Sequence, residues 1–410
     1  MRPCLAFGIY VHVPYCLQLC PYCDFTKYEW GPKTPQTLAP EAYTELVRKE
    51  IRQRAEGVAE KNVSTIYFGG GTPSLLEPSL ILSLIDEVAN AGFRLKGPEF
   101  SPEISIEIDP ATVDEARLDQ YLAGGITRFS VGAQSFNDRL LKIAGRKHTS
   151  KDTIELLEML KRRGVNYSFD LLFALPTQTL AELSEDVSRA IDFGPSHLSA
   201  YNLTVPEGHK LDAGRAPEGE QIEMFDLIES KLADAGILRY EISNFAKPGY
   251  ESKHNSLYWS DQAYWGVGLS SHSFLSGDAL PPQDRAQAPF GVRFWNRRAM
   301  KEYEKELGSE KHPWSFVTDL PDAQKEILKE HQAMTDFLHT SLRPLKGLAE
   351  NALRLKFSEQ SSARAVERLE EIVTYGWATK TKTGWALTRE GRLLANQAFE
   401  KLTFLEGELS

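Results

Sequence analysis

Three cysteines lie within eight residues of one another near the start of the chain. The stretch "YVHVPYCLQLCPYCDF", residues 10–25, contains Cys16, Cys20 and Cys23, and the only other cysteine among the 410 residues is Cys4. Such crowding does not suit a disulfide framework in a chain of this size. Closely spaced thiolates are instead typical ligands of zinc or of iron–sulfur clusters. The spacing therefore predicts a metal centre on this loop.

Zinc and an iron–sulfur cluster are the two candidates for that centre. Structural zinc needs four Cys or His ligands, and the nearby His12 lies in a strand-like run. Cys4 is separated from the loop by that same run, so we expect it to be an ordinary thiol. Three thiolates can bind three irons of a [4Fe-4S] cubane and leave the fourth iron open to a ligand. We favour the cluster and keep zinc as the alternative.

The C-x3-C-x2-C spacing, with the aromatic Tyr22 before the last cysteine, resembles the motif of the radical S-adenosylmethionine (SAM) superfamily. The resemblance implies that Cys16, Cys20 and Cys23 hold a [4Fe-4S] cluster. It also implies that the amino and carboxylate groups of SAM chelate the open iron, and that the reduced cluster can cleave SAM.

Six apolar, β-branched or aromatic runs along the chain predict strands, and helix-like stretches separate most of them. The runs are residues 8–13, 63–68, 103–108, 127–131, 165–173 and 196–203. Alternation of strands and helices predicts an α/β fold with a parallel sheet, in which ligands bind at the carboxyl ends of the strands.

Polar or glycine residues follow several of these strands. Gly69–Ser74 reads "GGGTPS", where glycine lets the backbone approach the amino group and carboxylate of a ligand closely. Glu107 is an acid in an apolar run, and Gln134, Arg146 and Asp170 lie after or within later strands. A surface role for Arg146 and an internal salt bridge for Asp170 remain alternatives.

The order of these elements resembles the oxygen-independent coproporphyrinogen III oxidase-like branch of the superfamily, over residues 8–206 at least. Ala174 in "FALP" departs from that branch, where glycine is usual. The resemblance implies a partial, three-quarter TIM-like barrel of six strands. The residues that it implies to contact SAM are Tyr10, Gly70, Gly71, Thr72, Glu107, Gln134, Arg146 and Asp170. Tyr22, the aromatic residue of the cysteine motif, is a further expected cofactor-binding residue.

That branch contains porphyrinogen-decarboxylating oxidases and the HemW group of heme chaperones, and two features favour the chaperones. The oxidases have a further cysteine where this chain has Phe25, and a longer arm before the cluster loop. "KHNSLYW", residues 253–259, matches the HN-x-x-YW element of the chaperones. Oxidative decarboxylation of coproporphyrinogen III remains the alternative, as does an interaction module without SAM.

The resemblance to the chaperones implies heme as a third ligand. His254 is then a candidate ligand of the heme iron, beside Asn255, Tyr258 and Trp259, whose rings offer flat apolar area. The alternative is that His254 and Asn255 cap a loop and that both aromatic rings are core. His272, at the end of a Gly-rich segment read as a turn, is a weaker candidate for the heme or SAM site.

The remaining chain predicts a second, mostly helical unit. Residues 280–318 are rich in proline and suggest a linker or wrapping segment. Beyond them, a hairpin at 376–388 between helical stretches suggests a winged-helix-like module. The expected division is a radical SAM barrel over 1–240, a heme-motif and wrapping segment over 241–318, and the helical and winged domain over 319–410.

Composition limits the partners. With 41% hydrophobic residues the chain can bury more than one core, and its net charge of −10 argues against a nucleic-acid surface. Its longest apolar runs are strand-length, so we expect no transmembrane segment and a cytoplasmic location. The expected partners are heme and heme-accepting proteins, with transient contact to membrane hemoproteins.

Overall fold

Six parallel strands form the centre of the largest sheet in the computed structural model, which describes residues 6–31, 38–97, 101–308 and 314–409. Cys4 lies outside the described residues. The six strands are paired in chain order, which confirms the predicted α/β fold. They are β1 (Phe7–Val13), β2 (Thr65–Gly70), β3 (Glu103–Ile108), β4 (Arg128–Gln134), β5 (Tyr167–Phe173) and β6 (His197–Asn202).

Helices connect these strands, and local sequence signals determine where several of them begin and end. They are α1 (Pro40–Arg54), α2 (Pro78–Asn90), α3 (Glu115–Ala123), α4 (Asp138–Ile143), α5 (Ser150–Arg162) and α6 (Leu180–Phe193). Thr149 and Thr179 form capping boxes at the starts of α5 and α6, which satisfies backbone N–H groups there. Gly194 ends α6 in the left-handed conformation, with φ of 73°.

The sheet extends beyond the six predicted strands to twelve. The further elements are α7 (Glu218–Asp234), β7 (Leu238–Arg239), β8 (Asn244–Ala246), α8 (Lys253–Trp259), β9 (Ala263–Val267), β10 (His272–Leu275), α9 (Pro282–Arg285), β11 (Val292–Trp295), α10 (Met300–Leu307) and β12 (Lys325–Ile327). The order across the sheet is β12-β11-β10-β9-β1-β2-β3-β4-β5-β6-β8-β7, and β12 and β7 are its two edges. The barrel is therefore partial, as predicted.

Strand β9 was expected to be part of a Gly-rich turn. It pairs in parallel with β1, with Trp265 opposite Ile9, and both side chains are fully buried. Burial of that tryptophan in the core stabilises a strand in a segment whose glycines suggested a turn.

Residues 280–318 also contain regular structure where a linker was expected. Strand β11 and helix α10 lie there, because their apolar side chains join the main core. The ring of Phe294 stacks on that of Phe316 at 4.2 Å, and Tyr303 is fully buried.

The C-terminal part is a helical module with a small sheet and its own core. Its elements are α11 (Glu330–Ser341), β13 (Leu348–Ala349), α12 (Glu350–Lys356), α13 (Glu359–Thr374), β14 (Ala378–Lys380), β15 (Gly384–Leu387), α14 (Arg389–Leu393) and α15 (Ala395–Lys401). The predicted hairpin is present as β14 and β15, and the helix expected after it is divided in two. Phe274 of β10 belongs to this second core, so the module packs on the outer part of the large sheet. Among the described residues, no helix is both long and apolar enough to cross a bilayer.

A buried carboxylate connects the outer strands to helix α1. Glu50 is fully buried, and its oxygens accept hydrogen bonds from Arg54 (2.9 Å), the Asn296 side chain (2.7 Å), the Tyr303 hydroxyl (2.5 Å) and the Gly268 N–H (2.8 Å). Because these donors come from three separate segments, the carboxylate holds α1, α10 and the β9–β10 turn together.

Replacement of Glu50 by alanine should destabilise the fold by about 3–5 kcal/mol, because it breaks the buried ion pair with Arg54 and removes the acceptor of the buried Asn296, Tyr303 and Gly268 donors. Arg54 keeps its second carboxylate partner, Glu306. Thermal unfolding of the purified protein measures the effect. The exposed Glu56, at the end of the same helical segment, provides the control, and Glu56→Ala should cost less than about 0.5 kcal/mol. Equal unfolding midpoints for the two variants would contradict this role for Glu50.

Candidate functional site

A cavity of about 1200 Å³ lies at the carboxyl ends of the parallel strands. Its volume exceeds the ~300–1,000 Å³ common for small-molecule sites. Every site residue predicted from the sequence lines it. These residues are Tyr10, Cys16, Cys20, Tyr22, Cys23, Gly70, Gly71, Thr72, Glu107, Gln134, Arg146, Asp170, His254, Asn255, Tyr258, Trp259 and His272.

The three cysteines are free thiols on the loop that follows β1. Cys16 is buried, and burial raises the pKa of its thiol to about 11, although a hydrogen bond from Thr72 partly offsets this. Cys20 and Cys23 are partly exposed to the cavity. Within the described ranges, no three His, Cys, Asp or Glu side chains are arranged to hold a single metal ion. Three thiols lining one cavity suit a cluster in which each thiolate binds a different iron.

The glycine run after β2 supports the cysteine loop. The Gly71 N–H donates to the carbonyl of Val13 (2.8 Å), and the Thr72 N–H donates to that of Tyr15 (2.7 Å). A Cβ at residue 71 would lie 2.6 Å from the Tyr15 carbonyl oxygen, so only glycine fits. These N–H groups are therefore used within the protein, where the sequence suggested that they would meet a ligand.

Gly70 allows the backbone to pass close to the ring of His12 and to bond to the carboxylate of Glu107. Its φ is 109°, and a Cβ there would lie 2.4 Å from the ring of His12. Its N–H donates to Oε2 of Glu107 at 3.1 Å, and the Tyr67 hydroxyl donates to Oε1 at 2.9 Å. The backbone of the glycine run thus orients the acid that faces the cavity.

Glu107 and Asp170 are two half-buried acids that line the cavity. Burial raises the pKa of Glu107 to about 7, against its hydrogen bond from Tyr67, and the nearby Asp170 raises it further. Burial likewise raises the pKa of Asp170 to about 6, against hydrogen bonds from Ser199 and Ser130. Because burial disfavours the ionised forms of these two carboxylates, they favour a cationic or hydroxyl-rich ligand, which would compensate their charge.

Arg146 lies between the cysteine loop and Asp109. Its Nη2 donates to Oδ2 of Asp109 (2.7 Å) and to the carbonyl of Gly132 (2.9 Å), and its Nη1 lies 3.9 Å from Sγ of Cys20. Burial alone would raise the pKa of Asp109, but a hydrogen bond to His148 and the charge of Arg146 lower it. The arginine therefore lines the cavity instead of the outer surface, and it places a cation beside the loop. Tyr22 is also close, and burial raises the pKa of its hydroxyl.

Asp109 and His148 were not identified from the sequence. Asp109 stands in "DP" directly after β3, which suggested only a turn, and nothing near His148 indicated that it would reach the same carboxylate.

Among the described residues, five that are not glycine adopt left-handed backbone conformations, and three of these, Gln134, Asp261 and Ser270, line the cavity. Gln134 has φ of 66°, at an irregularity in the pairing of β4 with β5. Ala174 has φ of 58°, which explains why glycine is usual there in the branch that this sequence resembles. Such conformations cost about 1–2 kcal/mol and are common next to functional sites.

The HN-x-x-YW element forms the short helix α8. His254 is buried, and both ring nitrogens are used, Nδ1 with the Thr65 hydroxyl (2.7 Å) and Nε2 with the Tyr258 hydroxyl (2.8 Å). Burial lowers the pKa of the imidazole to about 3. The ring stacks on Tyr67 at 5.1 Å. The structure therefore gives His254 a packing role in the cavity wall and leaves neither nitrogen free to bind iron.

The aromatic residues of α8 are held by neighbouring elements. Tyr258 packs edge-on against Tyr264 of β9 at 4.5 Å, and the guanidinium of Arg343 lies 4.2 Å from the ring of Trp259. Asn255 donates its backbone N–H to the Ser252 hydroxyl, which caps the helix. The expectation that these rings supply flat area to the cavity is compatible with this packing.

His272 lies on β10, exposed at the cavity wall, and not in a turn. Its ring stacks on Trp295 of the neighbouring strand, with centroids 5.9 Å apart.

Comparison with known proteins agrees with this geometry. Residues 10–190 match the radical SAM superfamily. The fold is that of the coproporphyrinogen III oxidase HemN from Escherichia coli, a radical SAM enzyme, with a TM-score of 0.77, 21% identity, and coverage of 98% of this chain and 91% of that one.

Curated relatives match over most of the chain. The heme chaperone HemW of Mycobacterium tuberculosis (strain CDC 1551 / Oshkosh) is 30% identical over 409 residues, which cover 97% of this chain and 94% of that protein. The heme chaperone HemW of Bacillus subtilis (strain 168) is 29% identical, with coverage of 95% and 97%. That of Buchnera aphidicola subsp. Acyrthosiphon pisum is 35% identical over 273 residues, with coverage of 66% and 70%. The chain belongs to the HemW family of heme chaperones in the radical SAM superfamily.

Proposed function

We propose that this protein binds heme in the cavity at the carboxyl ends of the strands and delivers it to acceptor proteins in the cytoplasm. The observation that carries the proposal is that a single cavity contains both the cysteine loop and the aromatic surface around α8. Relatives that match almost the whole chain are heme chaperones. Acceptors include membrane hemoproteins, which the protein contacts transiently.

The cysteine loop fits a [4Fe-4S] cluster. Cys16, Cys20 and Cys23 would hold it, because they are the free thiols that line the cavity and no disulfide competes for them. A cluster bound by three thiolates supplies an open iron and one-electron chemistry. Arg146, near Cys20, places a positive charge beside the loop that would hold the cluster.

Other residues that line the cavity fit SAM. The acids Glu107 and Asp170 would receive the ribose hydroxyls and compensate the positive charge of the sulfonium. Tyr10 lines the same cavity, where its hydroxyl is 3.1 Å from Nδ1 of His12. Gln134 and Arg146 lie close enough together to contact one ligand, since Nε2 of Gln134 and Nη2 of Arg146 both lie 3.4 Å from the position that a Cβ on Gly132 would occupy.

The aromatic part of the cavity lining fits a porphyrin. Tyr258, Trp259, Tyr264 and Phe274 provide aromatic area there, which suits a large flat ligand. Phe25, at the position where the oxidases have a cysteine, is 63% exposed and lines the same space. An exposed apolar side chain next to the cluster loop gives a hydrophobic ligand further contact area.

Replacement of any one of Cys16, Cys20 or Cys23 by alanine should abolish the cluster after anaerobic reconstitution. Iron and sulfide analysis with electron paramagnetic resonance measures it, and Cys4→Ala should retain four irons per chain. Loss of the cluster in the Cys4 variant would contradict the three-cysteine assignment.

SAM affinity should rise with pH through about 7, because the pKa of Glu107 in the free protein is raised to about 7 and its ionised form attracts the cation. Isothermal titration at pH 6 and pH 8 measures the change. Glu107→Gln should bind more weakly and lose most of the pH dependence, whereas the exposed Glu56→Gln should behave like wild type. An unchanged pH profile in Glu107→Gln would remove Glu107 from the SAM site.

The reconstituted protein should bind one heme per chain and transfer it to an apo-hemoprotein. Anaerobic titration with hemin, followed by absorption, measures binding. Mixing the loaded protein with apo-myoglobin, as a generic acceptor, measures release. A protein that binds no heme would refute the chaperone proposal, and accumulation of protoporphyrinogen from coproporphyrinogen III would favour the oxidase alternative.

A further inference from the structure

One face of strands β9, β10 and β11 carries aromatic and cationic side chains into the cavity. Tyr264 is paired with Phe274, and Phe274 with Arg293, so the three lie across from one another on neighbouring strands. His272 lies two residues from Phe274 on the same face, because side chains alternate along a strand. Tyr264, His272, Phe274 and Arg293 all line the cavity. We refer to these four residues as the β10 face.

His272 is the histidine of this face, and it differs from His254 in what its ring can do. Its side chain is exposed, and neither ring nitrogen has a hydrogen-bond partner in the part of the chain that the structure describes. Stacking on Trp295 restrains the plane of the ring without using a nitrogen. Burial and the nearby Arg298 lower its pKa, which keeps the imidazole in the neutral form that binds metals.

The backbone that carries His272 is held rigidly. The N–H of Ser270 donates to the carbonyl of Arg297, and that of Asn296 donates to the carbonyl of Ser271, both at 2.9 Å. The Asn296 side chain also binds the Ser271 hydroxyl at 3.2 Å and the carboxylate of Glu50 at 2.7 Å. A ligand held this way loses little freedom on binding a metal.

The turn before His272 also touches the cysteine loop. The Thr26 hydroxyl, three residues after Cys23, donates to the Ser270 hydroxyl at 2.9 Å. The carbonyl of Thr26 in turn bonds to Nε2 of His12 at 2.7 Å. His272 therefore lies on the wall next to the cluster loop.

The charges around the β10 face favour an anionic group at one position. The guanidinium of Arg293 donates hydrogen bonds to the carboxylates of Asp336 (3.0 Å) and Glu326 (2.7 Å). Arg298 lines the cavity, is exposed, and forms no ion pair with any described residue. It is therefore available to a carboxylate brought by a ligand.

We propose that His272 is the protein ligand of the heme iron, that Arg298 binds a heme propionate, and that Tyr264 and Phe274 pack against the porphyrin. This inference rests on the proposed heme-binding function and assigns residues within it. An imidazole nitrogen of His272 forms the bond to iron, and a solvent ligand leaves the iron. His254 then supports the cavity wall through Thr65 and Tyr258 and does not contact the metal.

The test of His272 is an anaerobic hemin titration of the reconstituted protein, followed by absorption and electron paramagnetic resonance. His272→Ala should lose the spectrum of histidine-bound heme and bind more than about tenfold more weakly, since even a supporting residue costs about that much. Added imidazole should restore the spectrum of the variant, which a merely misfolded protein would not allow. Its unfolding midpoint should match that of wild type, because the side chain is exposed.

His254→Gln is the matched variant. It should keep the histidine-type spectrum even if its unfolding midpoint falls, because the buried ring loses its bonds to Thr65 and Tyr258. Loss of that spectrum in a folded His254→Gln protein, with an unchanged spectrum in His272→Ala, would overturn the inference and leave the chaperone proposal intact. Absence of heme binding in wild type would instead refute the chaperone proposal itself.

Arg298→Gln tests the propionate contact separately. It should weaken hemin binding about two- to fivefold, the range for an exposed ion pair, without changing the spectrum. Heme dimethyl ester, which lacks the propionate charges, should bind equally to Arg298→Gln and wild type. A variant that binds hemin as tightly as wild type would remove Arg298 from the site.

Discussion

The carboxylate of Glu50 is buried among donors from segments far apart in the chain. The position of strands β9 to β11, which line part of the cavity, depends on it. Its bonds to Arg54, Asn296, Tyr303 and the backbone of Gly268 hold the turn between β9 and β10 against α1. A buried charge is costly unless it is fully compensated, so these contacts allow little variation in the position of the turn. The strand that carries His272 begins at this turn.

The part of the cavity formed by the six parallel strands has a different origin. These strands all end at one edge of the sheet, and the cavity lies there. Each strand from β1 to β6 ends at the same edge, so side chains that follow different strands meet there. The half-buried acids Glu107 and Asp170 and the cation of Arg146 come to line one cavity in this way. The glycine run at residues 69–71 closes the loop after β1 tightly, which brings the cysteines to the same edge.

The six strands could be predicted from local periodicity, and the cysteine loop from its spacing. The residues that line the cavity were predicted partly from the ends of those strands and largely from the resemblance to the radical SAM branch. What could not be predicted depends on distant contacts. Strand β9 forms because Trp265 is buried beside β1, and Nδ1 of His254 is bonded to the hydroxyl of Thr65, 189 positions away in the sequence. The partner of Arg146, Asp109, is likewise contributed by another strand. The role of Gly71 in supporting the cysteine loop was not visible either, because the sequence does not show where the Tyr15 carbonyl lies.

Together these constraints describe a protein that holds a reactive cofactor on the cysteine loop of a cavity and offers a binding surface for heme in the same cavity. A crystal structure of the cluster-reconstituted protein loaded with heme tests this central claim most directly. The porphyrin is expected inside the cavity, between the β10 face and the aromatic residues of α8, with the cluster on Cys16, Cys20 and Cys23. A heme found outside the cavity, for example on the C-terminal module, would contradict it.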